Sequence, residues 1–195
     1  RGFSFQKDEV QDMRYGGETS NGERVTGNKT AADIVNESSA QELERIFKEY
    51  GEEKLSREIA QAIVEYRKKE WIGRTGQLVE IILETYRKKL KTKKDIPWIG
   101  GLHPATKIFQ ALRIAVNDEL GVLERVLPQA IEALESGGKI AVITFHSLED
   151  RFVKHFFKGE KRVKIITKKP IVCGKEEYAV NPRARSAKLR VVEKI

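Results

Sequence analysis

Two short stretches hold the side chains best suited to chemistry. In ITFHSLEDRFVKHFF, residues 143–157, an apolar run stops at His146, and Ser147-Leu148-Glu149-Asp150 follow at once. An imidazole and a carboxylate at such a junction can exchange hydrogen bonds with a substrate or move a proton. In Asn181-Pro182-Arg183-Ala184-Arg185-Ser186, two guanidinium groups share one turn with an amide and a hydroxyl. Planar guanidinium forks grip phosphate oxygens in pairs, and Lys168, Lys169 and Lys188 add to the same field. Each stretch also has a plainer reading. Ser147-x-x-Asp150 fits a capping box that merely starts a helix, a lone histidine is commonly structural, and paired arginines suit an exposed basic turn. No Gly-x-Ser-x-Gly elbow accompanies His146-Ser147. Gly100-Gly101 and Gly137-Gly138 match neither a P-loop nor a dinucleotide fingerprint.

The elements that must position these groups follow from periodicity. Residues 1–30 are polar and glycine-rich, with turns at Gly16-Gly17, Asn21-Gly22 and Gly27-Asn28, and read as loop. Phe3 and Phe5 are bulky apolar residues in that loop, fit either to stack on a base or to pin the loop to a core. Ser39-Ala40-Gln41-Glu42 is a capping box ahead of Leu43, Ile46 and Phe47. Two further amphipathic helices follow, one around Leu55–Tyr66 and one from Thr75. The exit passes through the basic run 87–94 and Pro97. From His103 onward, Ile108, Leu112, Val116, Leu120, Leu123, Leu127, Ile131 and Leu134 recur at three- and four-residue steps, and Pro128 should kink or divide that helix. His103 itself, ahead of Pro104 at a domain junction, reads as structural. Lys139–Phe145 has the continuous apolar run of a strand buried on both faces. A helix to Phe157, strands at Val163–Thr167 and Leu189–Glu193, and a polar loop between them complete the second half of a mostly parallel, helix-covered sheet. His146 then stands at the carboxyl end of a strand, where open α/β sheets gather ligands.

The bulk numbers agree with such a fold. The 195 residues are 39% hydrophobic and 34% charged, with mean hydropathy −0.49, as expected of a soluble globular protein. No apolar run approaches the roughly 20 residues of a membrane span. A single cysteine, Cys173, excludes an internal disulfide framework and a multi-cysteine metal site, and points to a reducing, cytoplasmic compartment. The segment Lys161–Ile195 holds eleven Lys/Arg against three Glu, which equals the whole net charge of +8. A basic terminal segment on a balanced protein points to phosphates, and so to nucleic acid.

Read together, "RGFSF", "DMR", "TAADIVN", "YGEE", "IAQAIVEYR", "HPATKIFQALRIAVNDEL", "GGKIAVITFHSLEDRFVKHFF" and "NPRARSAKLRVVEK" resemble, in order, the bacterial 16S ribosomal RNA cytosine-N4-methyltransferases of the MraW/RsmH family. The resemblance implies an α/β fold: the second half of a class I (Rossmann-like) S-adenosylmethionine-dependent methyltransferase sheet carrying an inserted all-α subdomain. It implies a loop segment over 1–30, the helical insertion over 31–98 and the C-terminal half of the α/β domain over 99–195. It also implies S-adenosylmethionine as cofactor and small-subunit ribosomal RNA as partner. The family's glycine-rich cofactor turn and ribose-binding acid precede "RGFSF", so no cofactor-binding residue and no metal ligand is expected in these 195 residues. His146 and Asp150 stand as candidate catalytic groups. Asn181, Arg183, Arg185, Ser186, Lys188, Lys168 and Lys169 stand as candidate RNA contacts. Such a half sheet should expose an open edge and be inactive alone, pairing with the family's N-terminal half. The alternative is a non-catalytic RNA-binding module that has kept only the basic face.

Overall fold

A computed structural model describes residues 1–16, 29–96, 98–99 and 101–195. The turns expected at Gly17, Asn21-Gly22 and Gly27-Asn28, and the positions Pro97 and Gly100, lie outside the described residues. The chain divides into two compact units, Arg1–Glu119 and Leu120–Ile195. Among the described residues no helix is long and apolar enough to cross a membrane.

The first unit is helical. α1 (Ala31–Glu37) starts at Thr30, whose hydroxyl accepts the Asp33 N–H at 3.1 Å while the Asp33 carboxylate accepts the Thr30 N–H at 2.8 Å. α2 (Ala40–Glu49) starts at Ser39 as its sequence predicts, with Ser39 Oγ accepting the Glu42 N–H at 3.1 Å. Only half of that capping box forms, because Glu42 turns to Arg45 one helical step on. α3 (Ser56–Arg67) and α4 (Thr75–Leu90) follow, and α5 (Thr106–Asn117) brings Ile108 and Leu112 into a core with Leu43, Phe47, Ile59, Ile63, Leu78 and Ile82. The loop before α1 is tied to this unit. Glu9 O and Gly73 O accept the Thr75 and Gln11 N–H groups at 2.9 and 3.0 Å, and Met13 is wholly buried. Phe5 packs against the same core and stacks on His103, while Phe3 stacks on Tyr15 and is 37% exposed.

The long periodic segment does break, but not at Pro128. Asp118 takes a left-handed backbone, φ 48°, and ends α5; α6 (Glu119–Glu132) then runs through Pro128. Asn117 stabilises the break: its Nδ2 donates to Met13 O and Arg113 O at 2.8 and 2.9 Å, and its Oδ1 accepts the Tyr15 N–H at 2.8 Å. A short amide at a left-handed turn satisfies the backbone groups a helix end leaves open.

The second unit carries the sheet. β1 (Lys139–Thr144), α7 (Ser147–Gly159), β2 (Val163–Ile165), β3 (Ile171–Val172), α8 (Lys175–Val180), a 3-10 helix (Pro182–Ser186) and β4 (Lys188–Lys194) follow in order. The strand order is β1-β4-β2, with β3 also against β4, and every hydrogen-bonded pair is antiparallel. The expectation of a mostly parallel set is corrected here. β1 and β2, joined by the α7 crossover, do run the same way, but β4 returns through the stretch 173–187 and inserts between them. Sequence order identifies crossovers and is silent on which later strand fills the gap.

β1 is also not buried on both faces. Ile140 and Val142 pack with Leu127 and Ile131 of α6, Val153 and Phe157 of α7, and Val192. Ala141 and Ile143, on the alternate side, are exposed, Ile143 to 59%. A strand's successive side chains face opposite sides of its sheet, and among the described residues both helices that cover it lie on one side.

Candidate functional site

The register of the two long strands builds the site. Thr144 at the carboxyl end of β1 pairs with Lys188 at the start of β4, and Thr144 Oγ1 donates to Lys188 O at 3.3 Å. The residues just after β1 and just before β4 therefore meet at one end of the sheet. That puts His146 and Asp150 at the same end of the sheet as the 3-10 helix carrying Arg183, Arg185 and Ser186. In this helix Ala184 is buried while Arg183 and Arg185 on either side are exposed. Neither guanidinium has an ion-pair partner among the described residues. Asn181, exposed, accepts the Ala184 N–H through its backbone oxygen at 3.0 Å and so starts the turn.

His146, not Ser147, caps the start of α7. Its Nδ1 accepts the Glu149 N–H at 3.3 Å, and the Glu149 carboxylate accepts the Phe145 and His146 N–H groups at 2.8 and 3.3 Å. The capping box thus starts one residue before the predicted Ser147-x-x-Asp150, because an imidazole nitrogen accepts a backbone N–H as a hydroxyl does. The proton of the neutral ring then belongs on Nε2, which lies 3.3 Å from Glu149 Oε1.

The shift frees Asp150 for another task. Its two oxygens accept from Arg190 Nε at 2.7 Å and from the Arg190 terminal nitrogen at 3.1 Å, and Lys188 Nζ adds a 3.3 Å contact. The Arg190 fork, against the opposing cost of burial, holds this carboxyl below its usual range. A buried carboxylate locked between two cations is a weak proton acceptor and a strong tie. It fixes α7 to β4 and sets Lys188 in place.

Lys168 and Lys169 are brought to a different place. Thr167 exchanges hydrogen bonds with Val191 in the middle of β4, so the lysines leave the sheet on the edge away from β1, two strand spacings or about 10 Å across. There Lys168 lines a small hollow with Lys154 and Lys158 of α7 and with Arg190. The sequence reading missed Lys154 and Lys158, whose four-residue spacing on α7 was the available signal. It missed Glu149 and Arg190 as well. The alternation of β4 would have turned Arg190 to the side of Val192, toward α7.

With this geometry in hand, comparison with known proteins gives a family. The family model described as "MraW methylase family" matches residues 1–195, and the chain belongs to that family. It is 50% identical over 198 residues to the protein named ribosomal RNA small subunit methyltransferase H of Persephonella marina, covering 100% of this chain and 62% of the relative. The proteins of the same name from Synechocystis and Geobacter sulfurreducens are 49% and 48% identical, with 58% and 64% of their lengths covered. The chain therefore spans about three-fifths of the length of these curated relatives.

Proposed function

We propose that this chain is the substrate-side part of an S-adenosylmethionine-dependent methyltransferase acting on the exocyclic N4 amine of a cytosine in small-subunit ribosomal RNA, in the cytoplasm. One observation carries the reading: the Thr144–Lys188 register gathers His146 and the Arg183/Arg185 turn at a single end of the sheet. The name of the relatives supplies the substrate class.

The amine of cytosine is a poor nucleophile because its lone pair is delocalised into the ring. An enzyme for it must hold the base outside its stack and align the amine with the methyl donor. In this reading Arg183 and Arg185 grip backbone phosphates, with Asn181, Ser186 and Lys188 beside them, and Lys168 and Lys169 extend the basic field along the far edge. His146 Nε2 is buried and lies 3.3 Å from Glu149 Oε1, so in this reading the ring positions Glu149 and the start of α7, and would have to turn outward to touch the base. Asp150 positions Lys188 and Arg190 and does not touch the base.

The cofactor does not fit this end of the sheet. The surroundings are cationic, the carboxylates of Glu149 and Asp150 are engaged by backbone N–H groups and by Arg190, and a sulfonium carries positive charge itself. No residue here is assigned to it, no step is routed through it, and the chain by itself is read as inactive. Among the described residues β1 pairs only with β4. In this reading its open edge and the exposed Ala141/Ile143 face are where the sheet of the whole enzyme continues. The residues 31–98 are the inserted helical subdomain, and 1–30 with 99–195 belong to the methyltransferase domain.

The test is transfer of labelled methyl groups from S-adenosylmethionine to small-subunit ribosomal RNA by a protein of the relatives' length that contains this chain. Digestion to nucleosides should return N4-methylcytidine, and no transfer should occur with the 195 residues alone. Label on another atom refutes the substrate assignment. Full RNA binding by these residues with no transfer in the longer protein would favour the binding-module alternative.

A further inference from the structure

The helical unit carries an exposed aromatic corner with no part in the reading above. Ile99 and Leu102 exchange both backbone hydrogen bonds, at 2.9 and 3.1 Å, around a tight reversal that includes Gly101 at φ +79°. That reversal sets Trp98 beside His103, edge to face with ring centroids 6.2 Å apart. Phe5 stacks on His103 at 4.5 Å with an 11° tilt, and meets the core residue Phe109 edge-on at 5.9 Å. The stack is thus anchored from beneath. His103 is held in place by the Ala105 N–H, donated to its Nδ1 at 3.1 Å, and burial lowers its pKa, so the ring is neutral near pH 7. Trp98 stands at the outer end, 63% exposed.

The approach to this corner is basic. Lys91, Lys93 and Lys94, at and beyond the end of α4, are exposed and form no ion pair among the described residues. Trp98 lies four positions after Lys94, at most about 14 Å along the chain. A large indole left in water a few positions along the chain from unpaired lysines is unlike a protein-docking patch, where lysine is depleted. It matches the pairing of cationic groove and aromatic platform by which unpaired nucleic acid is held.

We propose that this corner binds single-stranded RNA, with phosphates drawn to Lys91, Lys93 and Lys94 and one unpaired base stacked on Trp98, which His103 and Phe5 brace. The proposal rests on the RNA reading above and adds a second contact, on the helical unit, to the Arg183/Arg185 turn. Duplex RNA hides its base faces and is not a ligand for the platform.

The chain has two tryptophans, so Trp71→Phe leaves Trp98 as the sole indole reporter. The full 195-residue chain with this change is titrated with a short unstructured oligoribonucleotide, and separately with the same sequence as a duplex. The single strand should quench Trp98 fluorescence and the duplex should not. Trp98→Ala should weaken single-strand binding at least about fivefold, the low end for one stacked base, and Trp98→Phe should restore most of it. Lys93→Ala and Lys94→Ala should each lower the salt slope by about 0.7. Thermal unfolding of Trp98→Ala should match the parent, since the indole is exposed. Tight RNA binding with an unquenched Trp98 and no change in Trp98→Ala overturns this proposal and leaves the RNA reading standing. Equal quenching by the duplex also overturns it, in favour of charge alone. No RNA binding by the chain even at low salt overturns the RNA reading together with the corner.

Discussion

Replacing Asp150 by asparagine keeps the shape of the side chain and removes the charge that Arg190 and Lys188 share. Arg190 is buried with it, and the two bonds between them are 2.7 and 3.1 Å. Breaking a buried pair from one side typically costs about 3–5 kcal/mol, because the remaining charge is stranded. The asparagine oxygen retains one acceptor, which places the expected loss near the lower figure. A unit of the size of Leu120–Ile195 has roughly 4–11 kcal/mol in all, so a loss of about 3 kcal/mol is a large share. Hydrogen exchange at the Val191 and Val192 amides of β4 reads it directly, and should speed up on the order of 100-fold in Asp150→Asn. The pH dependence supplies an internal control. Because Arg190 depresses the folded pKa of Asp150, its contribution is complete above the unfolded value near 3.9 and is lost as pH falls through the folded one. The gap between parent and variant should be wide at pH 7 and close below about pH 4. Exchange rates within threefold of the parent at pH 7, or a gap that stays constant into acid, would refute the tie between α7 and β4.

Two other substitutions separate structure from function. His146→Asn preserves a side-chain acceptor at the start of α7, so stability should hold within about 0.5 kcal/mol while methyl transfer by the full-length enzyme falls; His146→Ala should in addition cost roughly 0.5–2 kcal/mol of stability, measured by urea unfolding. Arg183→Ala with Arg185→Ala removes two exposed and unpaired guanidinium groups; the melting temperature should be unchanged and the salt slope of single-strand RNA binding should fall by about 1.4 in total.

The helix start at Ser39, the helix from Thr75 and the strands around Val163 and Leu189 were legible because each rests on local chemistry: in turn a hydroxyl cap, an apolar period and runs of β-branched residues. The errors share a different cause. Pro128 drew attention as the helix breaker, yet the break at Asp118 depends on Asn117 reaching Met13 O, about a hundred residues back in the chain. The strand pairing depends on β4 returning between two earlier strands, which no local pattern encodes. The cap at His146 was misplaced by one residue because Ser147-x-x-Asp150 and His146-x-x-Glu149 overlap, and only the demand of Arg190 for a carboxylate decides between them. Of the candidate site, the Asn181–Lys188 turn was visible as charge on a turn. That it shares one end of the sheet with His146 came only from the register of β1 and β4.

That register has a consequence for how the protein is made. Thr144 and Lys188 are 44 residues apart, so on a ribosome adding roughly 5–20 residues per second, β1 waits about 2–9 seconds for its central neighbour. During that interval β1 lacks the strand it pairs with among the described residues, and Ala141, Ile143 and Phe145 form a short apolar row along it. A row of this kind is open to pairing with the wrong chain until β4 emerges.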